Sequence, residues 1–193
     1  MSSEFVIKKD PKGSVAKIFL GKEEIAEIKQ GEGFSFKLIK HKDKMEWIVT
    51  NFVDGEHRPF SFSVRKREKK SIDQVTDKDF TEEIFVIRDQ LFKHAGKFYM
   101  LASHPEDKSW GEYVNSSIKY ICRLDDFQYS DLSEVDFHHY TIQDKIKRFR
   151  GKAVGEASGL AVEKDGHCVK LDSELNDIAL FIAAISYLIY ASG

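Results

Sequence analysis

The sequence predicts a mainly β domain of the α+β class, an antiparallel meander packed around one hydrophobic helix at its C-terminal end. Three observations carry that prediction. Residues 5–67 are a succession of short runs with period two, separated by turn-forming residues. The final stretch, IALFIAAISYLIYASG from Ile178 to Gly193, is almost wholly apolar. Fifteen phenylalanines, within an aromatic content of 12%, supply material for a substantial core.

The 193 residues suit a single domain, 1–193, with a weak internal seam near 65–79. Hydrophobic residues at 41% beside charged residues at 32% exclude a disordered chain, which lacks the apolar surface to offset its entropy. With 30 basic and 32 acidic residues the net charge is −2, so no global field steers the protein toward nucleic acid or membrane. Any electrostatic function is local. The two cysteines, Cys122 and Cys168, have neither a disulfide framework nor a zinc-type spacing and read as buried thiols. MSSEFVIKKDPKG carries charges and no apolar core of a secretory signal, so a cytoplasmic protein is expected.

The first strands are FVIKK, SVAKIFL, EEIAEIK, FSFKLIK, MEWIVTNFV and RPFSFSVRK. Asp10-Pro-Lys-Gly13, Gly21-Lys22, Gly31-Glu-Gly33, His41 to Lys44 and Asp54 to His57 separate them, residues that tolerate positive φ or preset a turn. Phe34, Phe36 and Leu38 alternate with Ser35, Lys37 and Ile39, and Phe60, Phe62 and Val64 alternate with two serines, so one face is expected buried and the other wet. RKREKKSIDQVTDKD, residues 65–79, breaks the pattern and reads as a charged crossover or exposed loop.

Residues 80–121 have two readings. Phe80, Ile84, Ile87 and Leu91 match a helical stripe, whereas IFVIRDQLF, His94-Ala-Gly-Lys97 and FYML match a hairpin, which the β-branched and aromatic content favours. SWGEYVNSSIKYIC is open in the same way. Further on, Lys164-Asp-Gly-His167 reads as a turn between LAVE and HCVKL, and Asn176 as the N-cap of the terminal helix, with Asp177 favourable at its positive end.

That helix has no polar face. Ile178, Ile182, Ile185 and Ile189 form one stripe, Phe181 and Leu188 a second, and Ala179, Ala183 and Ser186 a third of small side chains. A helix apolar all round is enclosed by protein or by lipid. About 14 residues at ~1.5 Å rise reach ~21 Å, against a hydrocarbon core of ~30 Å. A core helix is therefore expected in preference to a tail anchor or an oligomerising helix, with no transmembrane span.

Arg150-Gly-Lys-Ala-Val-Gly155, the strand ending HCVKLDSEL and the closing NDIALFIAAISYLIY occur in an order that resembles the superfamily of tubby C-terminal domains, phospholipid scramblases and LURP-one-related proteins. YTIQDKIKRF, with Tyr140, Ile142 and Asp144, is similar to its strand openings. The resemblance covers the C-terminal part, roughly from Tyr140, and the N-terminal meander only by architecture. It implies an antiparallel β-barrel of about twelve strands enclosing the C-terminal helix, without enzymatic activity or cofactor. It also implies anionic headgroups, phosphoinositides among them, as ligands, and a location at the membrane periphery. The chain departs from scramblases in having no palmitoylation-type cysteine cluster and no proline-rich N-terminal segment, which puts lipid scrambling in doubt.

Two basic runs are candidates for a phosphorylated headgroup. One holds Lys145, Lys147, Arg148, Arg150 and Lys152 around Phe149; the other, Arg65 to Lys70, includes Arg65 and Arg67. Arginine presents a bidentate fork to phosphate, so Arg148 and Arg150 are the stronger ligands. Solvated charge on strands and loops is the competing reading. The alternative function is a protein-interaction or structural module with no lipid ligand.

His138-His139 point to opposite faces of any strand and lack a third ligand, as does His167 beside Cys168, so no metal is expected. Glu106, Asp107 and Glu112, near His104 and Trp110, are the only acid/base constellation, and exposed loop carboxylates explain them more simply. Gly31-Glu-Gly33 precedes no helix and is not a phosphate loop.

Overall fold

In a computed structural model the period-two runs of the N-terminal region become antiparallel strands in chain order. The structure describes residues 2–33, 35–53, 56–57, 61–67, 80–88, 90–102, 119–125, 151–159 and 166–192. The strands are β1 Ser3–Lys9, β2 Ala16–Leu20, β3 Glu23–Gln30, β4 Ser35–Lys40, β5 Met45–Thr50, β6 Phe52–Val53, β7 Glu56–His57 and β8 Phe62–Arg67. After them come β9 Phe80–Ile87, β10 Leu91–His94, β11 Lys97–Ala102, β12 Tyr120–Leu124, β13 Gly151–Gly159 and β14 Gly166–Leu171. A 3-10 helix, Ser173–Ile178, leads into α1, Ala179–Ser192.

Twelve strands form one sheet in the order β10-β11-β12-β13-β14-β1-β2-β3-β4-β5-β8-β9. Its two ends meet where Arg88 and Leu91 exchange backbone hydrogen bonds, Arg88 N–H to Leu91 O at 2.8 Å and Leu91 N–H to Arg88 O at 2.9 Å. The sheet is thus a nearly closed barrel. Gln90 makes the corner at φ 72°, and its buried side-chain amide donates to Leu101 O at 2.9 Å. The 80–102 region is the hairpin: β10 and β11 pair around Ala95 and Gly96, at φ 49° and 75°, the type I′ geometry that suits strand twist.

Helix α1 lies within the barrel. Ile182 and Ile185 have no exposed surface, Ile178 and Leu188 are buried, and Phe181 and Ile189 are half-buried against the same core. The small stripe of Ala179, Ala183 and Ser186 is buried as well. Phe181 meets Trp47 of β5 edge-on at 5.1 Å and stacks on Phe85 of β9 at 6.0 Å. From Phe85 the rings continue to Phe92 of β10 at 5.4 Å, across the seam, and to Tyr99 of β11 at 5.1 Å. Helical structure begins earlier than expected: Asp172 stands at the N-cap position of the 3-10 helix, and Asn176 lies inside it, accepting a hydrogen bond from Ser3 Oγ at 3.3 Å. With that turn the helical segment Ser173–Ala191 runs 19 residues, long and apolar enough to cross a membrane. Length no longer separates the two readings, and enclosure does: 67% of the segment's apolar window is buried inside the barrel.

Five other expectations are corrected. Ser61 and Ser63 are fully buried, not wet, so β8 is covered on both of its faces, with Phe62 and Val64 buried on the other. Ser35 is buried because its hydroxyl caps the preceding turn, donating to Glu32 O at 2.6 Å. Arg65 and Arg67 belong to β8, not to a loop, paired with β9. His167 is a buried strand residue of β14 in place of a turn residue, while Cys168 beside it, expected buried, is half-exposed because it faces outward. LAVE, like the HPED, SWGEYV, HH and YTIQD stretches, falls outside the described residues.

Candidate functional site

The two basic runs fare differently. Cross-strand register sets Arg65 opposite Glu83 and Lys66 opposite Glu82 of β9. The Arg65 guanidinium approaches the Glu83 carboxylate at 3.8 Å, both side chains well exposed. Such a pair contributes little stability, but it neutralises the cation. Arg67 pairs with Phe80 in the same ladder. Of the second run, Lys145, Lys147, Arg148 and Arg150 lie outside the described residues, immediately before β13. Lys152, on β13, is exposed, and its cross-strand partner is Arg123 of β12.

Arg123 is the centre of a polar cluster that spacing did not reveal. Its guanidinium meets Glu174 at 3.1 Å and Asp125 at 2.8 Å, and Glu174 also accepts from the Tyr99 hydroxyl at 2.8 Å. Burial raises the Glu174 pKa, but the Tyr99 and Arg123 hydrogen bonds outweigh it and hold the carboxyl below its ordinary value. Burial first, and then Glu174, push the Tyr99 hydroxyl up. The cluster clasps the 3-10 turn before α1 to β11 and β12. Its partners are far apart in the chain and each is unremarkable by itself, so no sequence signal announced it.

On the outer face of β2, β3 and β4 the charges also offset one another. Lys17 meets Glu24 at 3.2 Å, His41 lies 3.3 Å from the same carboxylate, and Lys29 meets Glu27 at 3.5 Å. Glu27 also accepts from the Ser14 hydroxyl. That face is therefore zwitterionic.

Burial pushes the Cys122 thiol up to about 12. Burial, together with the hydrogen bond to Glu4, pushes Cys168 up to about 11. Both are thiols at neutral pH, and a thiol is a poor nucleophile. Among the described residues no group of three or more His, Cys, Asp or Glu side chains is placed to hold a metal ion.

Comparison with protein-family models, with curated proteins and with solved structures finds no match.

Proposed function

We propose that this barrel is a non-enzymatic, tubby-like module that binds anionic lipid headgroups, phosphoinositides in particular, through the basic segment feeding β13. One contrast supports the reading. The Arg65 to Arg67 run lies in register with Glu82 and Glu83 of the neighbouring strand, and Glu83 approaches Arg65. The Lys145 to Lys152 run ends instead on an exposed lysine whose cross-strand neighbour is another cation, Arg123. Arg123 is already committed to Asp125 and Glu174, which leaves the headgroup to Arg148 and Arg150, with Lys145, Lys147 and Lys152 in support. The enclosed terminal helix agrees with the tubby-like arrangement.

Co-sedimentation with phosphatidylcholine vesicles, with and without phosphatidylinositol bisphosphate, tests this. Binding should require the anionic lipid and weaken as salt rises. The doubly substituted Arg148→Ala, Arg150→Ala protein should lose it, and Arg65→Ala should not. Equal sedimentation of the double variant and the parent would discard the proposal in favour of a protein-interaction module.

A further inference from the structure

His167 sits in the barrel wall, and among the described residues nothing is placed to receive a proton's charge. It is 2% exposed, and neither ring nitrogen has a hydrogen-bond partner. On β14 it faces inward with Val169 and Leu171, while Cys168 and Lys170 face outward. Its register partners are Ile7 on β1, which is fully buried, and Gly159 on β13. From α1 two rings cover it, Tyr190 stacked at 4.7 Å and Tyr187 tilted at 6.3 Å. The charged groups of the adjoining strands, Glu4 and Lys8 on β1, Glu156 on β13 and Lys170 on β14, are all exposed on the outer face, away from the ring. Among the described residues no carboxylate faces the ring. Glu163 and Asp165, in the connection before β14, are outside them.

A buried imidazole in such a place favours the neutral form, because its cation has two N–H donors and, among the described residues, no acceptor. Relief requires water, and the last turn of α1, which lays Tyr190 over the ring, is partly open to it: Tyr190 is 47% exposed and Ala191 is exposed. We infer that His167 is an acid-sensitive latch: its protonation frees the final turns of α1 from β14, uncovering Leu188 and Ile189.

The sign follows from burial. The packed ring has a pKa depressed from 6.5 to about 4, so the released state binds a proton first as pH falls. Packing against His167 is at full strength above pH 6.5 and is lost progressively between there and about 4. In that window the ratio of released to packed helix rises about tenfold per pH unit.

Hydrogen–deuterium exchange of the full chain, followed by mass spectrometry on peptides from residues 182–192 and corrected for intrinsic rates, reads the latch directly. Exchange of this segment should accelerate by about tenfold per pH unit below 6.5, ahead of peptides from β2 to β4, and His167→Phe should abolish the acceleration. Flat exchange in the parent, or unchanged acceleration in His167→Phe, would overturn the inference. Should that variant not fold, an NMR titration of the parent decides. An imidazole that titrates near its ordinary value while the Tyr190 resonances stay in place would refute the latch.

Discussion

The Glu174 carboxylate, one turn before α1, lies 3.1 Å from the Arg123 guanidinium and 2.8 Å from the Tyr99 hydroxyl. One carboxylate thereby ties the start of the core helix to two strands of the wall.

Glu174→Gln should cost about 1–2 kcal/mol, since it weakens two charge-assisted hydrogen bonds in a half-buried site. Because the folded pKa of Glu174 lies below its ordinary 4.5, the stabilisation is complete above that pH and lost as pH falls through the folded value. Urea midpoints of parent and variant should differ constantly above pH 4.5 and converge below it. A constant gap down to the most acid pH would show the carboxylate's charge to be irrelevant.

Gly155→Ala should destabilise by about 1–3 kcal/mol through overpacking. A Cβ at this position would stand 2.7 Å from Leu171 Cδ2 and 2.9 Å from Lys170 O, next to the register shift between β12 and β13. The backbone oxygen cannot rotate away as a side chain does. Thermal denaturation measures the loss, and an unchanged midpoint would mean that β13 shifts to admit the methyl.

Ala95→Asn should stabilise by about 0.5–1 kcal/mol. Ala95 holds φ 49° before Gly96, and asparagine tolerates that left-handed conformation where alanine is strained. The same denaturation experiment should show a raised midpoint; a lowered one would reject the turn geometry.

Ile185→Ala should cost about 2–5 kcal/mol, because the side chain is fully enclosed and its removal leaves a cavity. Leu20→Ser, at a residue 42% exposed, should change stability by about 0.5 kcal/mol or less. Equal effects at the two positions would contradict an enclosed helix.

Much of the wall was legible because period-two patterning and turn chemistry are local properties. Phe5 and Ile7 are buried while Lys8 and Lys9 are not, and His94-Ala-Gly-Lys97 resolves the 80–102 ambiguity as a hairpin. The buried serines at 61 and 63 escaped the same logic, because β8 is covered on both faces and alternation assumes one wet face. The basic run at Arg65 looked like a site until β9 set Glu83 against it. Charge compensation across a ladder depends on register, and register across 68–79 has no local signature.

The sequence by itself determined an antiparallel meander and an apolar helix that demands enclosure, since hydrophobic periodicity and all-round apolarity act residue by residue. Tertiary structure alone decided where the barrel closes, at Arg88 and Leu91, and which groups meet inside it. Tyr99, Arg123 and Glu174 converge, and His167 is shut beneath Tyr190 without a hydrogen-bond partner among the described residues, through contacts between distant parts of the chain. Such contacts depend on how the sheet closes around the helix, which no short stretch of sequence encodes.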